Sequence, residues 1–377
     1  MNDKPTGQHM IRTETIALNM GPQHPSTHGV FRLKLQLDGE TVVGIEPVMG
    51  YLHRGIEKIC EDKTYVQVVP LTDRLDYVCS MTNNQAYVTA VEKLLGLEAP
   101  ERAEYIRVIM AELTRFINHM MAIGFLWNEL GAYFTPVLYC FRAREHILDL
   151  FERACGSRMM CNYMRPGGVS ADLPEDFLPA AKKFNDHFKS FIDQLDTFLS
   201  GNEIFLARAV DVGVLPGDVA INASITGPML RASGVGYDIR KVDHYSIYDR
   251  FDFEVPTCPS GDVYDRYYQH IKEMRQSVRI IDQALEGLPE GEVMDAKAKK
   301  ALRRPPQGEA YGRIESPKGE LGFYIVSDGS AKPYRVRIRP PSQINLSALK
   351  EMCEGHKLQD IVIILGSINL TMADLDR

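Results

Sequence analysis

Long hydrophobic runs are missing from this sequence. A membrane-spanning helix needs roughly 18–20 consecutive apolar residues. The most apolar stretch, Met120 to Trp127, is far shorter and continues into Asn128 and Glu129. The first residues, Met1 to His9, are polar and have no signal-peptide core. These absences predict a cytoplasmic chain that reaches a membrane only through partner proteins.

Cys-x-x-Cys pairs are also missing. Seven cysteines are scattered along the chain, mostly among apolar neighbours: Cys60, Cys79, Cys140, Cys155, Cys161, Cys258 and Cys353. Iron–sulfur clusters and structural zinc sites commonly use paired thiolates. The sequence therefore predicts that this chain binds no metal or cluster. An odd number of scattered thiols is typical of buried cysteines in a reducing compartment.

Nucleotide-binding and hydrolase motifs are missing too. Gly234-x-Gly236 lacks a third glycine and does not open a strand-to-helix turn, so it is not a dinucleotide site. The chain has no phosphate-binding P-loop and no Gly-x-Ser-x-Gly elbow. The net charge of −7 argues against a nucleic-acid partner, since such proteins are usually basic.

The 377 residues are enough for one large domain or two to three subdomains. Near the N-terminus, Phe31 to Leu37 alternates, Asp38-Gly39 gives a type I′ turn signal, and Thr41 to Ile45 returns as a second strand that ends at Pro47. From about 53 to 200 the pattern is mostly helical. The predicted helices run from Pro100 to about Trp127, Thr135 to about Ala154, Asp172 to about Leu199, and Asp262 to about Leu285.

The last part of the chain again has the pattern of strands. Residues 295–308 are rich in Lys, Arg and Pro and predict an exposed connection. Leu321 to Ser327 and Tyr334 to Arg339 predict strands around Asp328-Gly329, and Ile361 to Leu365 predicts a short buried strand. This order of strands, helices and strands predicts an α+β fold with a large helical centre.

The first candidate site is the segment Gly-Pro-Gln-His-Pro-Ser-Thr-His-Gly at residues 21–29. Its histidines, His24 and His28, have the spacing of two metal ligands one helical turn apart. Pro25 and the Gly21-Pro22 pair favour a loop instead, and no glutamate follows His24 as in zinc proteases. On the residues alone, two histidines bonded to buried backbone groups are the favoured interpretation.

The same segment resembles the loop that reaches the quinone headgroup in the 49-kDa-type, or D-type, quinone-site subunit of respiratory complex I. The resemblance continues through most of the chain. It includes Gly50-Tyr-Leu-His-Arg-Gly-Ile-Glu-Lys58, Arg74-Leu-Asp-Tyr77, Leu230-Arg-Ala-Ser-Gly234, Lys318 to Gly329, Arg335-Val-Arg337 and Asp374-Leu-Asp-Arg377. A match of this length is improbable by chance.

The resemblance implies a fold related to nickel–iron hydrogenase large subunits. That fold is α+β and mainly helical, with a small N-terminal antiparallel β region and a short mixed C-terminal β region. We expect an N-terminal β region with the quinone-site loop at residues 1–50, a helical core at 51–290 and a C-terminal α/β region at 291–377.

For the quinone site, the resemblance implies that His28 and Tyr77 hydrogen-bond the two quinone oxygens. A histidine and a tyrosine hydroxyl can both donate and be reprotonated. Glu129 matches the carboxylate that partners the loop histidine, although the family pattern has aspartate there. An interior tyrosine and an exposed helix-end glutamate are the alternative interpretations. The remaining expected pocket-loop residues are Gly21, His24, Ser26, Thr27 and Gly29.

Nickel–iron hydrogenases hold their metal with two Cys-x-x-Cys pairs. By resemblance, Arg74 to Tyr77 stands where the first pair would be, and Thr371 and Asp374 stand where the second would be. All four thiolates are absent, so soft nickel and iron cannot be held this way. The same cavity is then predicted to receive a quinone headgroup.

Electrons are expected from a [4Fe–4S] cluster in a neighbouring subunit. By resemblance, Arg54 and Arg74 lie close to it, and Met160 stands where some relatives have a histidine. The hypothesis that follows is a cluster of lower and less pH-dependent potential, suited to menaquinone. The alternative is that Met160 only packs.

The predicted function is therefore that of one component of a proton-translocating oxidoreductase that moves electrons from NADH, or another donor, to menaquinone or ubiquinone. The expected partners are complex I subunits B, C, I and H, the last of them in the membrane, with NAD and FMN on other subunits. The place is the cytoplasmic side of the bacterial plasma membrane, and the isolated chain is expected to be inactive. A membrane-bound hydrogenase-like large subunit and a non-catalytic scaffold are the alternatives.

Overall fold

A computed structural model describes residues 14–24, 29–132, 135–303 and 305–377. Its strands are short except for two near the C-terminal end. They are β1 (Ile16–Met20), β2 (Gln23–His24), β3 (Gly29–Val30), β4 (Arg32–Asp38), β5 (Thr41–Val48), β6 (Met164–Arg165), β7 (Gly168–Val169), β8 (Gln307–Ser316), β9 (Gly319–Asp328) and β10 (Arg335–Arg339).

Helices make up most of the chain between these strands. They are α1 (Ile56–Glu61), α2 (Tyr65–Thr72), α3 (Ser80–Leu95), α4 (Glu101–Glu129), α5 (Thr135–Cys155), α6 (Phe177–Leu199), α7 (Glu203–Ala209), α8 (Gly217–Asn222), α9 (Pro228–Ala232), α10 (Ile239–Val242), a 3₁₀ turn (Tyr248–Arg250), α11 (Val263–Gly287), α12 (Ala298–Ala301), α13 (Pro341–Leu346), α14 (Leu349–Cys353), α15 (Leu358–Ser367) and α16 (Met372–Asp376). In the described residues, no helix is long and apolar enough to cross a membrane.

The four long helices match the prediction closely, except that α6 begins at Phe177 and not at the predicted Asp172. The predicted start at Pro100 and end near Trp127 correspond to α4, whose interior is buried from Ala103 to Trp127 apart from a few positions. The other three predicted helices correspond to α5, α6 and α11. Their regular apolar spacing gives each helix one face for the core, and this is why the pattern located them.

The N-terminal sheet has the order β1-β4-β5 and is antiparallel. The β4–β5 hairpin is confirmed, but its turn was misplaced by one residue. Asp38 pairs with Thr41, so the two loop residues are Gly39 and Glu40, and of the two only Gly39 has positive φ. Pro47 does not end the strand, because β5 is an edge strand that can tolerate a missing N–H.

The C-terminal sheet has the order β10-β9-β8 and is antiparallel throughout, so the predicted mixed β region is wrong. The strands β9 and β10 were predicted. The strand β8 was missed because its first half is polar and begins within the predicted connection at 295–308. The prediction of a strand at Ile361 to Leu365 is also wrong, because these residues belong to α15. Two features favour the helix over the strand that the β-branched residues of α15 suggest. The helix is buried on several sides, and the backbone N–H of Lys357 donates to the side chain of Asp360 at its start.

Hydrophobic residues from all three predicted regions pack in one core, from Met20 to Leu375. The strand β8 lies directly on α3: a Cβ on Gly312 would stand 2.4 Å from the backbone nitrogen of Ala90. The boundaries near 50 and 290 stay predictions.

A buried charge network joins α4, α9, α11 and β8. The guanidinium of Arg231 donates to Glu273 and to Glu315, at 2.8 Å each. His119 contacts the second oxygen of Glu273 at 3.0 Å. Burial alone would raise the pKa of Glu273, but the charge of Arg231 and the contact with His119 hold that pKa well below its usual value. The network therefore fixes how these elements pack, since none of its charges can reach water.

Candidate functional site

Two short antiparallel strands flank residues 25–28. They are β2 and β3, in which His24 pairs with Gly29. Gly21 has φ of +89°, and a Cβ there would stand 2.0 Å from the carbonyl oxygen of Phe31, so the position needs glycine. Ser26, Thr27 and His28, and the side chain of His24, lie outside what the structure describes.

A cavity of about 340 Å³ opens beside Gly29 of β3. It is lined by Gly29, Tyr77, Val78, Asn118, Met121, Ala122, Phe125, Asn128, Glu129, Lys318, Gly366, Asn369, Leu370 and Thr371. Three residues predicted for the quinone site, Gly29, Tyr77 and Glu129, thus lie on the wall of one cavity. The wall combines the apolar side chains of Met121, Ala122 and Phe125 with polar side chains of α4 and of the segment 366–371.

Tyr77 is not an interior side chain, because 45% of its surface is exposed. It follows the short turns after α2 and precedes α3. Glu129 is the last residue of α4 and is half-buried. Gly366 on α15 leaves room for it, because a Cβ at Gly366 would stand 3.2 Å from the Glu129 Cγ. Sequence reasoning missed this role of Gly366.

The inner wall of the cavity carries a buried ion pair. The Lys318 ammonium donates to Asp76 at 2.5 Å and also to the hydroxyl of Thr371. The Thr371 hydroxyl in turn donates to the other oxygen of Asp76 at 3.1 Å. Lys318 lies in the two-residue turn between β8 and β9, yet only 3% of its surface is exposed. A turn lysine is normally solvated, so no local pattern indicates its buried position.

Asp374 stands behind this ion pair and is also buried. It accepts a hydrogen bond from the backbone N–H of Ser342 at 3.3 Å. Burial first, and then the negative charge of Asp76, raise the pKa of Asp374 to about 6. Thr371 and Asp374, the residues at the predicted second cysteine-pair position, thus lie close to Asp76 of the first segment.

An Asp374→Asn substitution is expected to stabilise the fold at high pH. Because the folded pKa is raised from 3.8 to about 6, the folded state favours the protonated carboxyl; this contribution is complete at low pH and is lost as the pH rises through about 6. At pH 8 the asparagine should therefore raise the free energy of unfolding by as much as about 3 kcal/mol, and at pH 4 by little. Urea denaturation at both pH values measures this, and equal destabilisation at both would contradict it.

Arg54 ties the two segments together. Its Nη2 donates to the carbonyl oxygen of Arg74 at 3.0 Å and to that of Ala373 at 2.9 Å. Arg54 and Arg74 are exposed, and Met160 is half-buried with a left-handed backbone of φ 55°. None of these three residues lines the cavity. If these residues lie beside a partner's cluster, as predicted, the contact uses a surface other than the cavity wall.

The described residues contain no group of three or more His, Cys, Asp and Glu side chains arranged to hold a metal ion. The segments 74–77 and 371–374 meet through the hydroxyl of Thr371, which donates to the carboxylate of Asp76.

Comparison with known proteins gives two family matches. Residues 129–304 and 299–377 match the family described as respiratory-chain NADH dehydrogenase, 49 Kd subunit. Residues 54–125 match the family described as nickel-dependent hydrogenase. The second match covers the segment in which Arg54 and Tyr77 lie, and it makes the hydrogenase-like fold plausible.

Several curated relatives match over nearly the whole chain, and each is named as the D-type subunit of an NADH-quinone oxidoreductase. The protein of Dehalococcoides mccartyi strain 195 is 60% identical over 97% of this chain and 100% of the relative. That of Roseiflexus sp. RS-1 is 55% identical, over 98% and 100%. That of Clostridium beijerinckii is 51% identical, over 97% and 98%. The chain therefore belongs to the 49-kDa (D-type) subunit family of respiratory complex I, the NADH:quinone oxidoreductases.

Proposed function

We propose that this chain forms the inner wall of the quinone-reduction pocket of a proton-translocating NADH:quinone oxidoreductase. The observation that carries the proposal is the shared cavity: Tyr77, Glu129 and Gly29 line it together, and Gly29 directly follows His28 in the chain. Its volume of about 340 Å³ is within the range of small-molecule sites.

The wall supplies the groups that quinone reduction needs. A quinone that takes up two electrons needs protons, or strong hydrogen-bond donors, at its two oxygens. Tyr77 presents a phenol at the cavity, and Lys318 places a buried ammonium on the polar part of the wall. In this proposal His28 and Tyr77 donate to the two oxygens, and Glu129 holds the histidine and stabilises its charged form.

The apolar part of the wall serves a different purpose. Met121, Ala122 and Phe125 lie along one face of α4 and give the cavity an apolar surface for a quinone ring. An apolar cavity with a few converging polar groups is the usual form of a small-molecule site. This combination favours a quinone over a charged substrate.

The electron donor in this proposal is a [4Fe–4S] cluster in a partner of the B type, close to Arg54, Arg74 and Met160. Positive charges near a cluster tune its potential, and the two arginines are exposed for such a contact. The complex I subunits C, I and H would complete the assembly on the cytoplasmic face of the bacterial plasma membrane, with H embedded in it. NAD and FMN would bind to other subunits, and the isolated chain would be inactive.

Tyr77→Phe is expected to lower the rate of quinone reduction by the assembled complex by on the order of 10²-fold. The substitution removes one proton donor and keeps the aromatic ring. Reduction of an artificial electron acceptor upstream of the quinone should be unchanged. Both rates are measured on the same purified complex, after co-purification of the partner subunits has been checked.

Tyr334→Phe is the matched control, since Tyr334 is 68% exposed and does not line the cavity. His28→Ala in the same assay should behave like Tyr77→Phe. If Tyr77→Phe keeps full quinone reduction, the cavity is not the reduction site, and a scaffold role becomes the better explanation.

A further inference from the structure

Two of the seven cysteines stand together at the end of α5. Cys155 is the last residue of the helix and is half-buried, and Cys161 follows six residues later with 8% of its surface exposed. Both thiols point at one backbone atom: the Sγ of Cys155 is 3.3 Å and the Sγ of Cys161 is 3.5 Å from the carbonyl oxygen of Ser157. Both sulfurs therefore approach the same carbonyl oxygen of this loop.

The pair also differs chemically from the other thiols. Interaction between the two thiol groups lowers the pKa of Cys155 and, together with burial, raises that of Cys161. Burial raises the pKa of Cys140, on the same helix, to about 12. The thiolate is the reactive form of cysteine, so Cys155 is the more reactive of these thiols.

One carboxyl faces the pair. Asp73 is fully buried and lies close enough for its negative charge to oppose ionisation of both thiols. Burial raises the pKa of Asp73 to about 7, so a substantial part of it is neutral at neutral pH and the opposition is weakened. Cys155 is half-buried and Cys161 is buried, so Cys155 is the thiol of the pair that a small oxidant reaches more easily.

We propose that Cys155 and Cys161 form a redox-active dithiol that a small hydroperoxide converts to an intrachain disulfide. The Cys155 thiolate attacks one peroxide oxygen, the O–O bond breaks, and the leaving hydroxide takes up a proton to give water. The sulfur of Cys161 then attacks the Cys155 sulfenic acid. The S–S bond forms, the S–O bond breaks, and the departing hydroxide takes the Cys161 proton as a second water. The two sulfurs supply the two electrons that reduce one peroxide.

The disulfide would close the loop that carries Met160. Met160 and Asn162 both hold left-handed backbone conformations, with φ of 55° and 47°. A covalent link between Cys155 and Cys161 holds the residues between them in a closed ring. Oxidation would therefore change the freedom of a surface loop in a protein whose predicted electron donor lies on that side.

Peptide mapping of the assembled complex tests the proposal. The complex is treated with a small excess of hydrogen peroxide, blocked with iodoacetamide under denaturing conditions, and digested with trypsin without reduction. Trypsin cleaves after Arg153 and Arg158, so the two cysteines fall on different peptides. The expected result is a linked pair of peptides that separates on reduction. Before oxidation, iodoacetamide should modify native Cys155 at least about tenfold faster than Cys140 at pH 7.

Two variants complete the test. Cys161→Ser should abolish the linked peptides and leave Cys155 as a sulfenic or sulfinic acid, whereas Cys140→Ser should leave the link unchanged. The proposal is overturned if peroxide produces no linked peptides from the native complex, or if it links Cys155 to other cysteines equally often. These measurements do not use quinone reduction, so their outcome does not depend on whether the proposed quinone site is correct.

Discussion

Replacing Arg231 with methionine is expected to lower the free energy of unfolding by about 3–5 kcal/mol, the largest loss of stability predicted for a single residue here. The buried network around it contains three arginines and four carboxyl groups: Arg115, Arg231, Arg240, Glu112, Asp238, Glu273 and Glu315. Methionine fills a similar volume but leaves Glu273 and Glu315 without the shared cation.

The reason for the size of the effect is that these carboxylates have no access to water. Glu273 is 1% exposed and Glu315 is also 1% exposed. Breaking a buried ion pair by removing one partner strands the other charge, and this costs more than the pair contributes. Urea denaturation followed by circular dichroism measures the change.

Arg279→Met is the matched control, since Arg279 pairs with Asp252 and Glu254, whose side chains are 83% and 78% exposed. It should cost less than about 1 kcal/mol. If both substitutions cost the same small amount, the charge network does not hold the helices together.

Replacing Lys318 with methionine is expected to reduce quinone reduction by on the order of 10²-fold, since the proposed pocket then loses its buried cation. The charge of Lys318 is stable over the working pH range. Burial would lower its pKa, but the charge and hydrogen bond of Asp76 raise it above 10.5. The stability that the Lys318 charge contributes is therefore fully present below pH 10.5 and is lost only as the pH rises through the still higher folded pKa.

Two explanations of such a loss must be separated, because Lys318→Met also strands Asp76. The double variant Lys318→Met with Asp76→Asn removes both charges. If stranded charge alone caused the defect, the double variant should recover stability and quinone reduction. If the cation itself is needed at the cavity, it should recover stability and stay inactive. Lys241→Met, a half-buried lysine outside the cavity, serves as the control.

Apolar spacing predicted the long helices because it is regular in each of them, and α4 is the clearest case. The same reasoning failed at α15, where a run of Ile, Val and Leu is apolar on all sides and carries no periodic signal. It also failed at β8, whose polar first half hides its pairing with β9. Strand pairing and burial on several sides depend on tertiary contacts, which local sequence patterns do not reveal.

For the site, the family resemblance named Tyr77 and Glu129, and the structure brings both to one cavity. No pattern in the sequence named Lys318, because its partner Asp76 is 242 positions away. Gly366 was missed for a similar reason: what it provides is space for the side chain of Glu129. The roles of Lys318 and Gly366 depend on tertiary contacts, so they can be recognised only in the folded structure.

The hydrogen bonds of Arg54 also bear on when the cavity forms during synthesis. Arg54 binds the carbonyl of Ala373, which is 319 positions later in the chain. At a translation rate of about 5–20 residues per second, Ala373 is synthesised at least about 15 seconds after Arg54. The wall that Thr371 contributes cannot form during that time. The cavity of an incomplete chain therefore stays open until the residues around Thr371 have been made.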